Sequence, residues 1–106
     1  MSFYENTIVA RQDLADKELK ELKERYSKAI TDASGKVLKI EEWGLLNLAT
    51  KIKKYNKGFF IHYKFEGSSS TLNEIKKKII IDRQVIRHLL VKFKKLDLEK
   101  KFFDNN

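Results

Sequence analysis

Gly35-Lys-Val-Leu-Lys-Ile-Glu-Glu-Trp43-Gly44-Leu-Leu-Asn-Leu-Ala-Thr-Lys-Ile-Lys-Lys-Tyr55-Asn-Lys-Gly-Phe-Phe-Ile-His-Tyr-Lys-Phe-Glu66 holds two strand-like runs joined by a lysine-rich connector. In the second run, residues 58–66, Phe59, Ile61, Tyr63 and Phe65 alternate with Phe60, His62, Lys64 and Glu66. A period of two sends successive side chains to opposite faces of a sheet. The first set is expected to face a core, and the second to project from the other face. Residues 36–43 read as the neighbouring strand, and 45–57 as a surface connector carrying Lys51, Lys53, Lys54 and Lys57 with Tyr55 among them.

Upstream, residues 2–10 contain Phe3, Tyr4, Thr7, Ile8 and Val9, a β-prone run with apolar groups on both parities, as in a central strand. Its alternation turns Tyr4, Asn6, Ile8 and Ala10 inward. A buried amide at Asn6 then needs a backbone partner or a bulge that shifts the register. From Asp16 the period changes: Leu19, Leu22, Tyr26, Ala29, Ile30 and Ala33 form one helical stripe, acidic residues crowd the first turn, and Ser34-Gly35 stops the helix. Downstream, Gly67-Ser68-Ser69-Ser70 ends the second strand of the pair. Thr71 with Glu74 reads as a capping box opening a helix built on Leu72, Ile75 and Ile79, and residues 85–94 return to a strand.

The order β-α-β-β-α-β defines an α+β chain of the ferredoxin-like type, a four-stranded antiparallel sheet with both helices on one face and the other face open. A chain of 106 residues makes one domain able to bury ~60% of its unfolded surface. We expect that domain to occupy residues 1–95, with 96–106 a flexible charged tail. With no Cys there is neither a disulfide framework nor a thiolate metal site. The N-terminal residues lack a signal-peptide pattern and no run approaches the ~18 apolar residues of a membrane span. A cytoplasmic protein without membrane association is therefore expected.

Of 23 Lys/Arg and 15 Asp/Glu, the first 35 residues hold six and seven, leaving 17 and eight for the remainder. A net −1 segment is thus followed by one of net +9, within a total of +8. Cations gathered near phosphates gain affinity by releasing counterions without reading sequence, so a polyanionic partner is implied.

Helix-closing Gly35, then Glu41-Glu42-Trp43-Gly44, Leu48-Ala49, Ile52 and Lys57-Gly58-Phe59 keep a distinctive order. Tyr4-Glu5 precedes them, and Val85-Ile86-Arg87 and Lys92 follow. Over about residues 3–95 this closely resembles the bacterial small-subunit ribosomal protein six family. The resemblance implies a structural, non-enzymatic ribosomal protein that binds the central domain of 16S ribosomal RNA together with small-subunit ribosomal protein eighteen, using no cofactor, metal or small-molecule substrate. Relatives carry an Arg-rich pair between the Gly-Leu and the Leu-Ala, followed by Tyr-Pro; this chain has Leu46-Asn47 and then Thr50-Lys51. Those arginine contacts do not transfer, and Leu46 points instead to protein packing.

The residues expected to meet RNA are Phe3, Tyr4, Lys53, Lys54, Arg87, Lys92, Lys94 and Lys95. Arg87 is singled out because a planar guanidinium bridges two phosphate oxygens where Lys cannot, although an ion pair with Glu5 or Asp82 would occupy it. Those expected to meet the partner protein are Leu46, Leu48, Phe60 and His62. Lys57-Gly58-Phe59-Phe60-Ile61 invites comparison with the RNA-recognition motif, but adjacent Phe59 and Phe60 must point to opposite faces and so cannot form that motif's paired stacking platform. Other classes fare worse. A dimeric ferredoxin-like module holding a small metabolite needs Gly-lined loops, and the chain has four Gly in all. An acylphosphatase-type enzyme needs a glycine-rich anion cradle after the first strand, where Arg11-Gln12-Asp13 stands. His62 and His88 sit on separate strands with no nucleophile or carboxylate cluster at a suitable spacing.

Overall fold

The computed structural model describes residues 2–52 and 54–93. Strand β1 (Ser2–Arg11) leads into helix α1 (Asp16–Asp32), strands β2 (Lys36–Ile52) and β3 (Tyr55–Gly67) form a long hairpin, and helix α2 (Ser69–Ile81) precedes strand β4 (Val85–Phe93). The sheet is antiparallel in the order β2-β3-β1-β4. The element order and the layering agree with the sequence reading. The expected tail, 96–106, lies outside the described residues.

The core sits between helices and sheet. Ile8 and Ala10 of β1, Ile61, Tyr63 and Phe65 of β3, Leu22, Tyr26 and Ile30 of α1, and Ile75 and Ile79 of α2 are buried in one cluster. Phe59 shares their parity but is only partly buried against the cluster. Polar atoms that reach this layer are paired: the Tyr63 hydroxyl donates to the Lys23 carbonyl at 2.9 Å, and the Tyr26 hydroxyl donates to Asp82 Oδ2 at 2.7 Å. Burial, with the Asp82 carboxylate as the second cause, pushes the Tyr26 phenol well above its usual range. Arg25 Nη2 donates to the same carboxylate oxygen and to Gln84 Oε1, both at 2.8 Å, so Asp82 joins α1 to the start of β4.

Asn6 is the exception. It is fully buried on the helix side, the ladders run without a break through Asn6↔Tyr63 and Asn6↔Leu90, and its amide oxygen and nitrogen form no hydrogen bond with any described residue. Neither the backbone partner nor the bulge expected from the sequence is present. Replacing Asn6 with Val removes both unpaired groups at similar size, and should raise the unfolding free energy by about 1–3 kcal/mol. A denaturant midpoint that stays put or falls would refute this.

Two boundaries differ from the sequence reading. Helix α2 begins earlier: Ser68 is the N-cap, its hydroxyl accepting from the Thr71 amide at 3.4 Å while its own amide donates to Thr71 Oγ1 at 3.2 Å. Thr71 is thus the third helical residue rather than the cap. Its hydroxyl also donates to the Ala33 carbonyl at 2.8 Å, fastening α2 to the end of α1. There Ser34 takes φ 65° and Gly35 returns its amide to the Ile30 carbonyl at 2.8 Å. A Cβ on Gly35 would lie 2.9 Å from both Ile30 and Thr71, so only glycine passes between the two helices.

The expected connector is the second difference. Residues 45–57 are mostly ladder, with Leu45↔Phe59, Leu46↔Gly58, Asn47↔Lys57 and Ile52↔Tyr55 paired, and Lys54 stands in the turn. The lysines masked a β-prone set, Leu45, Leu46, Leu48, Thr50 and Ile52, free of Pro, which continues strand pairing readily.

Candidate protein and RNA interface on the helix-free face

Directly opposed residues share a face, and the registers therefore assemble the surface away from the helices. Phe3, Glu5, Thr7 and Val9 of β1 lie beside Glu66, Lys64, His62 and Phe60 of β3, with Val91, Leu89 and Arg87 of β4 on the other side. From β2 come Lys39, Glu41 and Leu46. Leu89 and Val91 are 56% and 40% exposed. They form an apolar strip along an edge strand, ending at the exposed Arg87.

Alternation along β2 carries the helix-free face from Lys39 and Glu41 to Trp43, and a bulge follows. The β2–β3 register shifts between Glu42 and Gly44, and Gly44 takes φ 83°, a left-handed conformation that glycine accepts without Cβ strain. Trp43, on the same parity as Lys39 and Glu41, lies on the helix-free face, where its ring stacks on His62 at 4.9 Å and 14° and on Phe60 at 6.3 Å and 20°, and the bulge turns Leu46 rather than Leu45 to the same face.

Beneath this lid the face is not open. His62 and Lys64 are each 1% exposed. His62 Nδ1 and Thr7 Oγ1 are 2.7 Å apart, and Glu5 Oε1 lies 3.8 Å from Lys64 Nζ and 3.9 Å from His62 Nε2. Burial, reinforced by the Lys64 cation, lowers the His62 pKa to about 4. The ring is accordingly neutral at pH 7, and Glu5 answers Lys64 rather than an imidazolium.

The expected site residues separate into groups. Phe60 is half-buried on the helix-free face, Leu46 shares its parity, and Leu48 is half-buried on the hairpin arm. His62 has the expected parity but is covered by Trp43, so the surface at that point is tryptophan and not histidine. Tyr4 is corrected outright: it is 8% exposed on the helix side with its ring 5.6 Å from Phe65, which makes it a core residue. Phe3 is half-buried on the helix-free face, Lys54 is exposed at the hairpin turn, and Lys92 is exposed on β4 opposite Tyr4. Lys53, Lys94 and Lys95 lie outside the described residues. Arg87 takes neither expected partner, since Glu5 faces Lys64 and Asp82 is held by Arg25. Sequence reasoning missed Trp43, Leu89 and Val91. Shared parity was the available signal throughout, of residues 39, 41 and 43 on β2 and of 87, 89 and 91 on β4.

Between the hairpin arm and β4 this face sinks into a groove of about 330 Å³, with Val9, Trp43, Leu48, Ala49, Phe60 and Leu89 on its walls and Arg87 beside them.

Comparison with known proteins accounts for this arrangement. The sequence profile of the family described as ribosomal protein S6 matches residues 3–92. The chain belongs to the ribosomal protein S6 family. Small ribosomal subunit protein bS6 of Pelagibacter ubique is 45% identical over 103 residues, covering 97% of this chain and 85% of that protein. Its counterpart in Caulobacter vibrioides is 33% identical over 99 residues, covering 93% and 79%. The crystal structure of 30S ribosomal protein S6 from Thermotoga maritima has the same fold, with a TM-score of 0.85 at 28% identity over 93% of this chain and 92% of that one. The S6 family is one of structural rather than catalytic proteins. Its ferredoxin-like layering leaves one sheet face without helices, and that face carries the groove.

Proposed function

We propose that this chain is a structural component of the small ribosomal subunit in the cytoplasm, binding the central domain of 16S ribosomal RNA together with small-subunit ribosomal protein eighteen and performing no reaction. The observation that carries this reading is the apolar strip of Leu89 and Val91, continuous with the Trp43–Phe60 stack, on a sheet face that no helix covers. Exposed apolar surface of this extent marks a contact with another macromolecule. Lys54, exposed at the hairpin turn, suits phosphate contact, as do Lys92, exposed on the helix side of β4, and the net charge of +8. A non-catalytic role is supported by Arg11, whose Nε lies 3.3 Å from Asp13 where a phosphate cradle would be needed.

Purified chain mixed with protein eighteen and a central-domain RNA fragment tests the reading directly. A ternary complex seen by mass is expected, and persistence of free chain at micromolar concentrations would reject it. Salt supplies a second measure. With about four to six cations near phosphates, log affinity should fall against log salt with a slope of about −3 to −5, somewhat shallower for single-stranded RNA. A slope near zero would remove phosphate contact from the account.

A further inference from the structure

Arg87 stands at the margin of the groove, on the same face as its apolar walls, and it has no ion pair among the described residues. Its cross-strand neighbour is Val9, and two and four residues along β4 the same face presents Leu89 and Val91. Arg87 is thus an exposed cation bordered on its own face by Val9 and Leu89. We infer that the groove receives an apolar side chain from an extended segment of the partner protein, and that Arg87 pairs with a carboxylate next to that side chain. Arg87 is thereby assigned to protein recognition and not to the RNA backbone. The inference rests on the proposed pairing with protein eighteen and specifies its chemistry.

Three observations favour this occupant. The volume lies at the small end of the ~300–1,000 Å³ range of small-molecule pockets, which suits a single anchoring side chain better than a ligand. The walls are mainly apolar, Val9, Leu48, Ala49 and Leu89 with the edge of an aromatic stack, interrupted by Thr7, Asn47 and His88, and an anchor side chain seated there would shed water from these apolar groups. Charge complementarity selects the neighbouring group: one unpaired guanidinium beside apolar walls matches one carboxylate, with the two parallel hydrogen bonds that a guanidinium fork makes. A phosphate backbone brings a row of anions and calls for several cations, which the groove does not line up.

Two variants and two partners test the inference. Ala49→Trp fills the groove from an exposed strand position, and Arg87→Glu reverses its charge on an exposed side chain; both should melt within a few degrees of the parent, since surface changes of this kind cost little. Affinity for purified protein eighteen should fall about tenfold or more in each, with Arg87→Lys intermediate because it keeps the charge and loses the fork. Affinity for the central-domain RNA fragment alone, and its salt slope, should be unchanged by Arg87→Glu. If the parent chain pairs with protein eighteen and both variants pair equally well, the groove assignment is overturned while the proposed function stands. If Arg87→Glu lowers the RNA salt slope by about one instead, Arg87 is a phosphate contact and the inference fails. If the parent does not pair with protein eighteen at all, the proposed function fails and takes the inference with it.

Discussion

Phe65→Ala is expected to destabilise the domain by about 3–5 kcal/mol, the usual cost of truncating a fully buried phenylalanine. For a domain near 100 residues this lowers the melting temperature by roughly 15–30 °C. Phe65 is 0% exposed and packs on Tyr4 within the cluster that joins both helices to the sheet. Phe60→Asp, five residues earlier in the same strand, should behave differently. Its side chain is on the helix-free face, half-buried under Trp43, so a carboxylate there reaches water at the groove. The melting temperature should move by only a few degrees, while pairing with protein eighteen should weaken by tenfold or more on the scale of about 2 kcal/mol for a buried aromatic anchor. Thermal melts and a binding titration of both variants decide the matter. Equal destabilisation would mean that the two residues do not lie on opposite faces of the sheet.

The contrast between these phenylalanines was legible in the sequence because it depends only on parity, and the period of two in β3 is uninterrupted from Phe59 to Glu66. Helix α1 was legible for a similar reason, its apolar stripe being long enough to fix both period and face. What escaped was which side chain lies across another on the same face. Left-handed Gly44 bulges the strand and turns Leu46 rather than Leu45 to the helix-free face, and just before it Trp43, on the same parity as Lys39 and Glu41, stacks over His62. That one residue buries His62, which parity alone had placed at the surface. The lysines of residues 51–57 concealed the hairpin arm, since their charges said solvent while their apolar neighbours sustained a ladder. Tyr4 was drawn toward RNA by the family resemblance, against the alternation that turned it inward, and the alternation prevailed. Asn6 is a case in which the physical tension was visible and the structure leaves it unresolved: a buried amide stays in the core without a partner among the described residues.

Alone, the chain should bind central-domain RNA weakly, and with protein eighteen present it should bind roughly 5- to 150-fold more tightly, the span of typical coupling free energies. The physical basis is the division of labour across the molecule. Leu46-Asn47 stands where relatives carry arginines, and the exposed cations Lys54, at the hairpin turn, and Lys92, on the helix side of β4, hold phosphate as point charges with little discrimination among bases. On the helix-free face His62 and Phe60 lie against Trp43, and adjacent Phe59 and Phe60 point to opposite faces, so the aromatics here are stacked on one another and not spread as a paired platform for bases. Protein eighteen, seated on the apolar strip, would add its own basic surface beside Lys54 and so extend one phosphate-binding track across two proteins. Linkage then fixes the reverse effect: RNA must tighten the protein pair by the same factor by which protein eighteen tightens the RNA complex. Titration of the RNA fragment with each protein singly and with both gives one factor, and titration of the protein pair with and without RNA gives the other. Equal affinity of this chain for RNA with and without protein eighteen would refute the coupling, and unequal factors in the two directions would show that the species being measured are not the same complex.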